Sequence, residues 1–169
     1  PIKVGGIGPI TGAAAVYGQA VKNAEELAVK EINAAGGILG ATVKLSTKDD
    51  QGTPAEAVSG FNSLLSEGAS AIIGATLSSC TSAITSLADD EGIVLVTPNS
   101  TADSITTTDD YVFRSCFKDS FQGEMVAAYA KDQGWTKAAV LYATGDTYSS
   151  GLHDSFVKAA EKYGIEIVC

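Results

Sequence analysis

Two short stretches carry side chains suited to holding a small anion. Ala75-Thr76-Leu77-Ser78-Ser79 runs into a predicted helix start, where unpaired backbone N–H groups favour negative charge. Pro98-Asn99-Ser100-Thr101 follows the next predicted strand. Hydroxyls and N–H groups from both loops suit a carboxylate without a cationic side chain. Serine and threonine in such places are also ordinary helix caps, and composition alone favours that plainer reading. Tyr17 and Tyr148 each open a predicted helix, where an aromatic ring with a hydroxyl could cover the apolar part of a ligand or pack in a core.

Other chemistry finds less support. Gly6-Ile7-Gly8-Pro9-Ile10-Thr11-Gly12 approaches the dinucleotide fingerprint, but its third glycine comes one residue late. Asp49 and Asp50 lie much further from those glycines than the usual ~20 residues, and no phosphate-binding lysine loop is present. His153, the one histidine, sits in a predicted helix beside Asp154 and reads as solvated. No catalytic triad or metal cluster can be assembled around it, so neither a cofactor nor a metal is expected. Asp49-Asp50 and Asp89-Asp90-Glu91 read as solvated termini. Cys80, Cys116 and Cys169 form no CxxC pair and read as buried small hydrophobes. Asn99-Ser100-Thr101 is formally a glycosylation sequon, and a glycan there would block the proposed site.

The elements that must position these residues alternate between strand and helix. Strands are expected at Lys3–Gly8, Thr42–Lys48, Ala71–Gly74, Ile93–Thr97, Tyr111–Ser115, Lys137–Tyr142 and Ile165–Val168. Helices are expected at Val16–Ala35, from a Thr53 cap to a stop at Gly68, and at Ser79–Glu91, Ser120–Gln133 and Ser149–Tyr163. Val16, Ala20, Ala24, Leu27, Ala28 and Ile32 fall at helical spacing in the first helix. Thr53, Pro54 and Glu56 make a capping box for the second, whose buried face is Ala57, Val58, Phe61, Leu64 and Leu65. Strands separated by helices demand parallel pairing, because each crossover must travel back along the sheet. The fold class is therefore α/β, a Rossmann-like or flavodoxin-like parallel sheet with helices on both faces, followed by the start of a second such lobe. Residues 1–117 form the first lobe and 118–169 the beginning of the next, with the crossing at Cys116–Ser120. Two strands make a marginal sheet, so the natural protein is expected to continue.

The chain has 169 residues, 45% hydrophobic and 18% charged, with a formal net charge of −9. That acid excess repels phosphate backbones and argues against nucleic acid as a partner. No apolar run approaches the ~20 residues that span a bilayer. No basic region followed by an apolar stretch opens the chain, so any signal peptide is taken as removed or as never present.

Taken in order, Pro9-Ile10-Thr11-Gly12, Tyr17-Gly18 and Glu31-Ile32-Asn33-Ala34-Ala35-Gly36-Gly37-Ile38-Leu39-Gly40 resemble the opening of type I periplasmic binding proteins. The similarity is greatest to the leucine/isoleucine/valine-binding branch of ABC importers. Ile73-Gly74, Ser78-Ser79, Asp90-Glu91-Gly92-Ile93, Thr97-Pro98 and Tyr148-Ser149-Ser150-Gly151 continue it to the end of the chain. The resemblance implies two lobes that close on an amino acid and dock on a membrane permease, without enzymatic activity. It implies a monomer on the outer side of the cytoplasmic membrane, free in the periplasm or lipid-anchored. It puts the ligand carboxylate on Ser78 and Thr101, the ammonium on the Asn99 carbonyl and Thr101 hydroxyl, and aromatic walls at Tyr17 and Tyr148. Leu77 and Ser100 complete the candidate set. A family disulfide falls on Gly52 and Leu77 here and is therefore absent, and Asn99 is larger than the family's usual small residue. A cleft with one wall binds poorly on this reading. Two other readings stay open: a ligand-sensing receptor or regulatory domain of the same fold, and a nucleotide-dependent enzyme.

Overall fold

The computed structural model describes residues 1–107 and 110–169, which divide into two compact units. The first comprises Pro1–Ser100 and Ser104–Cys116, the second Thr101–Asp103 and Phe117–Cys169.

In the first unit, β1 (Ile2–Gly8), β2 (Val43–Asp49), β3 (Ala71–Ile73), β4 (Val94–Thr97) and β5 (Val112–Arg114) form one parallel sheet in the order β2-β1-β3-β4-β5. The register aligns Gly5, Ile72, Leu95 and Val112 across four strands on one face. Ile72 and Leu95 are fully buried there with Ile7, Phe61, Leu64, Ile84 and Ala88. α2 (Pro54–Ser66) supplies Phe61 and Leu64 to this core, and α4 (Thr85–Asp90) supplies Ala88. α1 (Ala15–Ala34) lies against the other face, where Gly6 opposes Glu25. This is the expected α/β architecture with helices on both faces.

α1 does not bury the stripe that its periodicity suggests. Its buried residues are Gly18 and Glu25, while Val16, Leu27 and Ile32 remain exposed. The face that it does bury is set by glycines. A Cβ at Gly18 would stand 2.3 Å from the Pro9 carbonyl oxygen, so only glycine lets the helix approach the strand end this closely. A Cβ at Gly6 would in turn stand 2.4 Å from the Glu25 carboxylate. The glycine-rich start of the chain therefore serves backbone packing of α1 on β1.

The capping box is half formed. Thr53 Oγ1 accepts from the Glu56 N–H at 3.4 Å, while the Thr53 N–H donates to the Asp50 carbonyl at 2.8 Å. Asn33 also acts beyond its helix, pairing with both the N–H (2.8 Å) and the carbonyl (2.9 Å) of Val43 to extend the start of β2. The expected helix over 79–91 is broken into α3 (Ser78–Ser82) and α4, with Ala83 and Ile84 between them.

In the second unit, α5 (Asp119–Asp132) packs along α6 (Thr147–Tyr163) beside a parallel pair, β6 (Lys137–Ala138) and β7 (Glu166–Ile167). Gly123 allows the helices to touch, since a Cβ there would lie 2.7 Å from the Phe156 backbone nitrogen. Ala127, Ala130, Ala159, Ala160 and Ile165 form its core. Lys137–Tyr142 was expected as a six-residue strand, yet only two residues pair as strand. Asp103 caps α5 from a distant loop, accepting from the Ser120 N–H (3.0 Å) and hydroxyl (2.7 Å). His153 is not solvated as expected: its ring stacks on Tyr142 at 3.9 Å, and its Nδ1 lies 2.9 Å from an Asp154 oxygen.

Burial pushes the Glu25 carboxyl up to about 7, and the neighbouring Glu26 charge adds to this. The folded chain thus favours the protonated acid. Its stabilising contribution is fully present below the unfolded value of about 4.5 and is lost as pH rises through about 7. Thermal unfolding should therefore shift downward between about pH 5 and pH 8, and Glu25→Gln should flatten that slope. An unchanged slope in the variant would contradict the assignment.

Candidate functional site

Parallel pairing places the ends of β1 to β4 on one edge of the sheet, and the loops leaving that edge carry the candidate residues of the first unit. The loop after β1 is tied to the end of β2. Asp49 Oδ1 accepts from the N–H groups of Ile10 (2.9 Å), Thr11 (3.2 Å) and Gln51 (3.0 Å), and Oδ2 accepts from the Thr11 hydroxyl at 2.5 Å. Burial alone raises the Asp49 carboxyl, but the Thr11 hydroxyl and these three N–H groups together hold it below its ordinary value. Asp49 is thus a loop tether and not a solvated terminus. Asp50, expected to be solvated, is fully buried. Its Oδ1 accepts from Gly52 N–H at 2.8 Å, and its Oδ2 is buried without a hydrogen-bond partner among the described residues. Burial raises its pKa, the Gly52 N–H partly offsets that, and the Asp49 charge adds to the rise.

The hydroxyl-rich loops after β3 and β4 are joined directly. Ser100 Oγ lies 3.3 Å from the carbonyl oxygens of both Ala75 and Thr76 and 2.5 Å from Thr81 Oγ1. Thr97 Oγ1 donates to the Ala75 carbonyl at 2.7 Å. Ser78 is buried as the first residue of α3, and Leu77 is the residue before it. α3 has only five residues, so its dipole adds less to anion binding than a helix over 79–91 would. Asn99 is exposed between buried Thr97 and Ser100. Tyr17, in the first turn of α1, is 57% exposed, so its ring is available to a ligand.

Thr101 and Tyr148 fall in the second unit. The Thr101 carbonyl accepts from the Asp119 N–H at 2.9 Å. Tyr148 lies in the first turn of α6 and lines a cavity of about 330 Å³ with Tyr142, His153 and Phe156.

One residue that the motif reading passed over is Arg114, the only arginine of the chain, at the end of β5. Its guanidinium donates to the Ser100 carbonyl at 3.1 Å and to Thr106 Oγ1 at 2.7 Å and 3.2 Å. Its solitary position at a strand end was the available signal. The cysteines differ from one another. Cys80 is buried, Cys116 partly buried and Cys169 exposed. Burial, with the Asp50 charge adding to it, pushes the Cys80 thiol up to about 12, which leaves it inert at neutral pH. The positions that the resemblance assigns to a disulfide are neighbours, since a Cβ on Gly52 would lie 3.4 Å from Leu77 Cδ1. No group of three or more metal-binding side chains occurs among the described residues.

The chain matches the family described as periplasmic binding protein over residues 1–169. It belongs to that family. It is 36% identical over 166 residues to the Leu/Ile/Val-binding protein homolog 3 of Brucella melitensis, covering 97% of this chain and 45% of that protein. Among solved structures, the leucine-binding protein LivK of Thermotoga maritima superposes with a TM-score of 0.93 at 30% identity, covering 99% of this chain and 47% of that one. LivJ of Streptococcus pneumoniae, a branched-chain amino acid transporter substrate-binding protein in complex with isoleucine, gives 0.91 at 35%, covering 99% and 48%. The chain spans about half the length of these relatives.

Asp49→Ala removes four hydrogen bonds to one carboxylate. It should cost at least about 1.5–3 kcal/mol of stability, the range for a single charge-assisted bond. Asp49→Asn retains an acceptor and should cost less, as read from denaturant midpoints. Equal losses in both variants would contradict the tether.

Proposed function

We propose that the chain forms one wall of a binding cleft for an α-amino acid with an apolar, branched side chain. Three features support this. The β3 and β4 loops are held together by buried hydroxyls, Ser78 and Asn99 sit on those loops, and the relatives are leucine-, isoleucine- and valine-binding proteins. The joined loops carry the argument, because an anion site without a cation needs fixed donors. In this reading Ser78 and Thr101 hold the carboxylate. The Asn99 carbonyl and the Thr101 hydroxyl receive the ammonium. Tyr17, Leu77 and Tyr148 wall the side chain. Ser100 belongs to the site through its backbone and its grip on the β3 loop, since its hydroxyl is occupied internally.

The same reading makes the whole protein a non-enzymatic delivery module. It binds as a monomer outside the cytoplasmic membrane, with or without a lipid anchor, and passes its ligand to an ABC permease. The relatives' common role in branched-chain amino acid binding supports this. A net charge of −9 gives such a module no attraction to nucleic acid.

Calorimetry of the protein at its full natural length against L-leucine, L-isoleucine, L-valine, sugars and nucleotides tests the assignment. Binding to the branched amino acids alone is expected. Ser78→Ala should weaken it by about 10–100-fold, the worth of one hydrogen bond to a charged group. Heat from sugars or nucleotides, with none from amino acids, would overturn the ligand class.

A further inference from the structure

Thr81, Thr97 and Ser100 are fully buried, and their hydroxyls converge on the Ala75 carbonyl at the end of β3. Each hydroxyl has one proton to donate, so the geometry can be resolved by counting. Thr81 Oγ1 lies 2.9 Å from the Ala75 oxygen, 3.0 Å from the Leu77 oxygen and 2.5 Å from Ser100 Oγ. Ser100 Oγ can reach Thr81 Oγ1, the Ala75 oxygen or the Thr76 oxygen. At so short a separation one of this pair donates to the other, which leaves a single proton for the backbone carbonyls. The Thr81–Ser100 pair therefore has more than one proton arrangement.

Thr97 does not share that freedom. Its hydroxyl donates to the Ala75 carbonyl at 2.7 Å, and the same oxygen accepts from the Ser100 N–H at 3.1 Å. Thus one atom on β4 grips the loop that leads to Ser78 and also the turn that carries Asn99. Arg114 holds the far side of that turn through the Ser100 carbonyl. The grip is buried, where a hydrogen bond faces little competition from water.

We propose that Thr97 is the positioning residue of the candidate site, its hydroxyl fixing the separation between the Ser78 loop and the Asn99 turn. The Thr81–Ser100 pair is the adaptable second strut, able to exchange its proton between carbonyls when the loops adjust. This inference rests on the proposed amino-acid-binding reading, but the clamp itself has a readout that needs no ligand.

Thr97→Val keeps the shape and removes the hydroxyl, and Thr97→Ser keeps the hydroxyl and removes the methyl. Each is measured for L-leucine affinity by calorimetry and for amide hydrogen exchange at residues 76–79 and 99–100. Thr97→Val should weaken L-leucine at least about 10-fold and speed exchange in both loops together, and Thr97→Ser should stay within about 3-fold of wild type. Ser100→Ala, which leaves both Thr97 bonds in place, should have the smaller effect. Thr97→Val with wild-type affinity and exchange, whatever its melting temperature, would overturn the proposal. If Thr97→Val does not fold, a Thr97→Ser protein no better than Ser100→Ala overturns it equally. If the wild type binds no amino acid, the ligand reading fails, and loop exchange alone then decides the clamp.

Discussion

The first unit depends on parallel pairing of short strands, with every carboxyl end on one edge. Parallel strands need crossovers, and crossovers put each following loop at that edge. Residues as distant in sequence as Ile10, Asp49, Ala75 and Ser100 therefore leave the sheet as neighbours. What remains is to hold those loops in register, and here the chain uses polar side chains in place of apolar packing. Asp49 gathers the β1 and β2 loops through four bonds, and the Ala75 carbonyl gathers the β3 and β4 loops through buried hydroxyls.

This choice of glue suits a binding edge. Apolar packing fixes volumes, whereas hydrogen bonds fix directions, and a ligand carboxylate needs donors that point one way before it arrives. The buried carboxyls of Glu25 and Asp50 show the cost of the same design. Each stands close to glycine backbone, at Gly6 and Gly52, and each is pushed toward its neutral form. The close approach of α1 to β1 also gives the glycines near the dinucleotide fingerprint a packing role. Gly18 opposes Pro9, a contact between helix and strand end.

Element types and order were legible in the sequence because strand and helix alternate with clear stops. Gly68, Gly92, Gly134 and Gly164 all adopt positive φ just past a helix, as their positions suggested. The break at Ala83–Ile84 was not legible, because helical spacing of apolar residues continues through it. The buried face of α1, at Gly18 and Glu25, was not legible for a related reason. Periodicity finds an apolar face, while glycines on the partner strand decide which face can come close. β6 pairs as a strand only over Lys137–Ala138, where β7 lies beside it. At the candidate site, Ser78, Asn99 and Ser100 are proposed on loop chemistry and resemblance. Thr97 entered only as part of the Thr97-Pro98 motif and Arg114 not at all, because the contacts that join them to the Ser100 turn are with backbone atoms.

The central claim is that the joined β3 and β4 loops hold the carboxylate end of an amino acid. An NMR titration of the backbone amides with L-isoleucine, using the protein at its full natural length, addresses it most directly. Shifts should concentrate at Ser78, Ser79 and residues 99–101, with the amides of α2 unmoved. Saturable binding with those loop amides unperturbed would contradict the account.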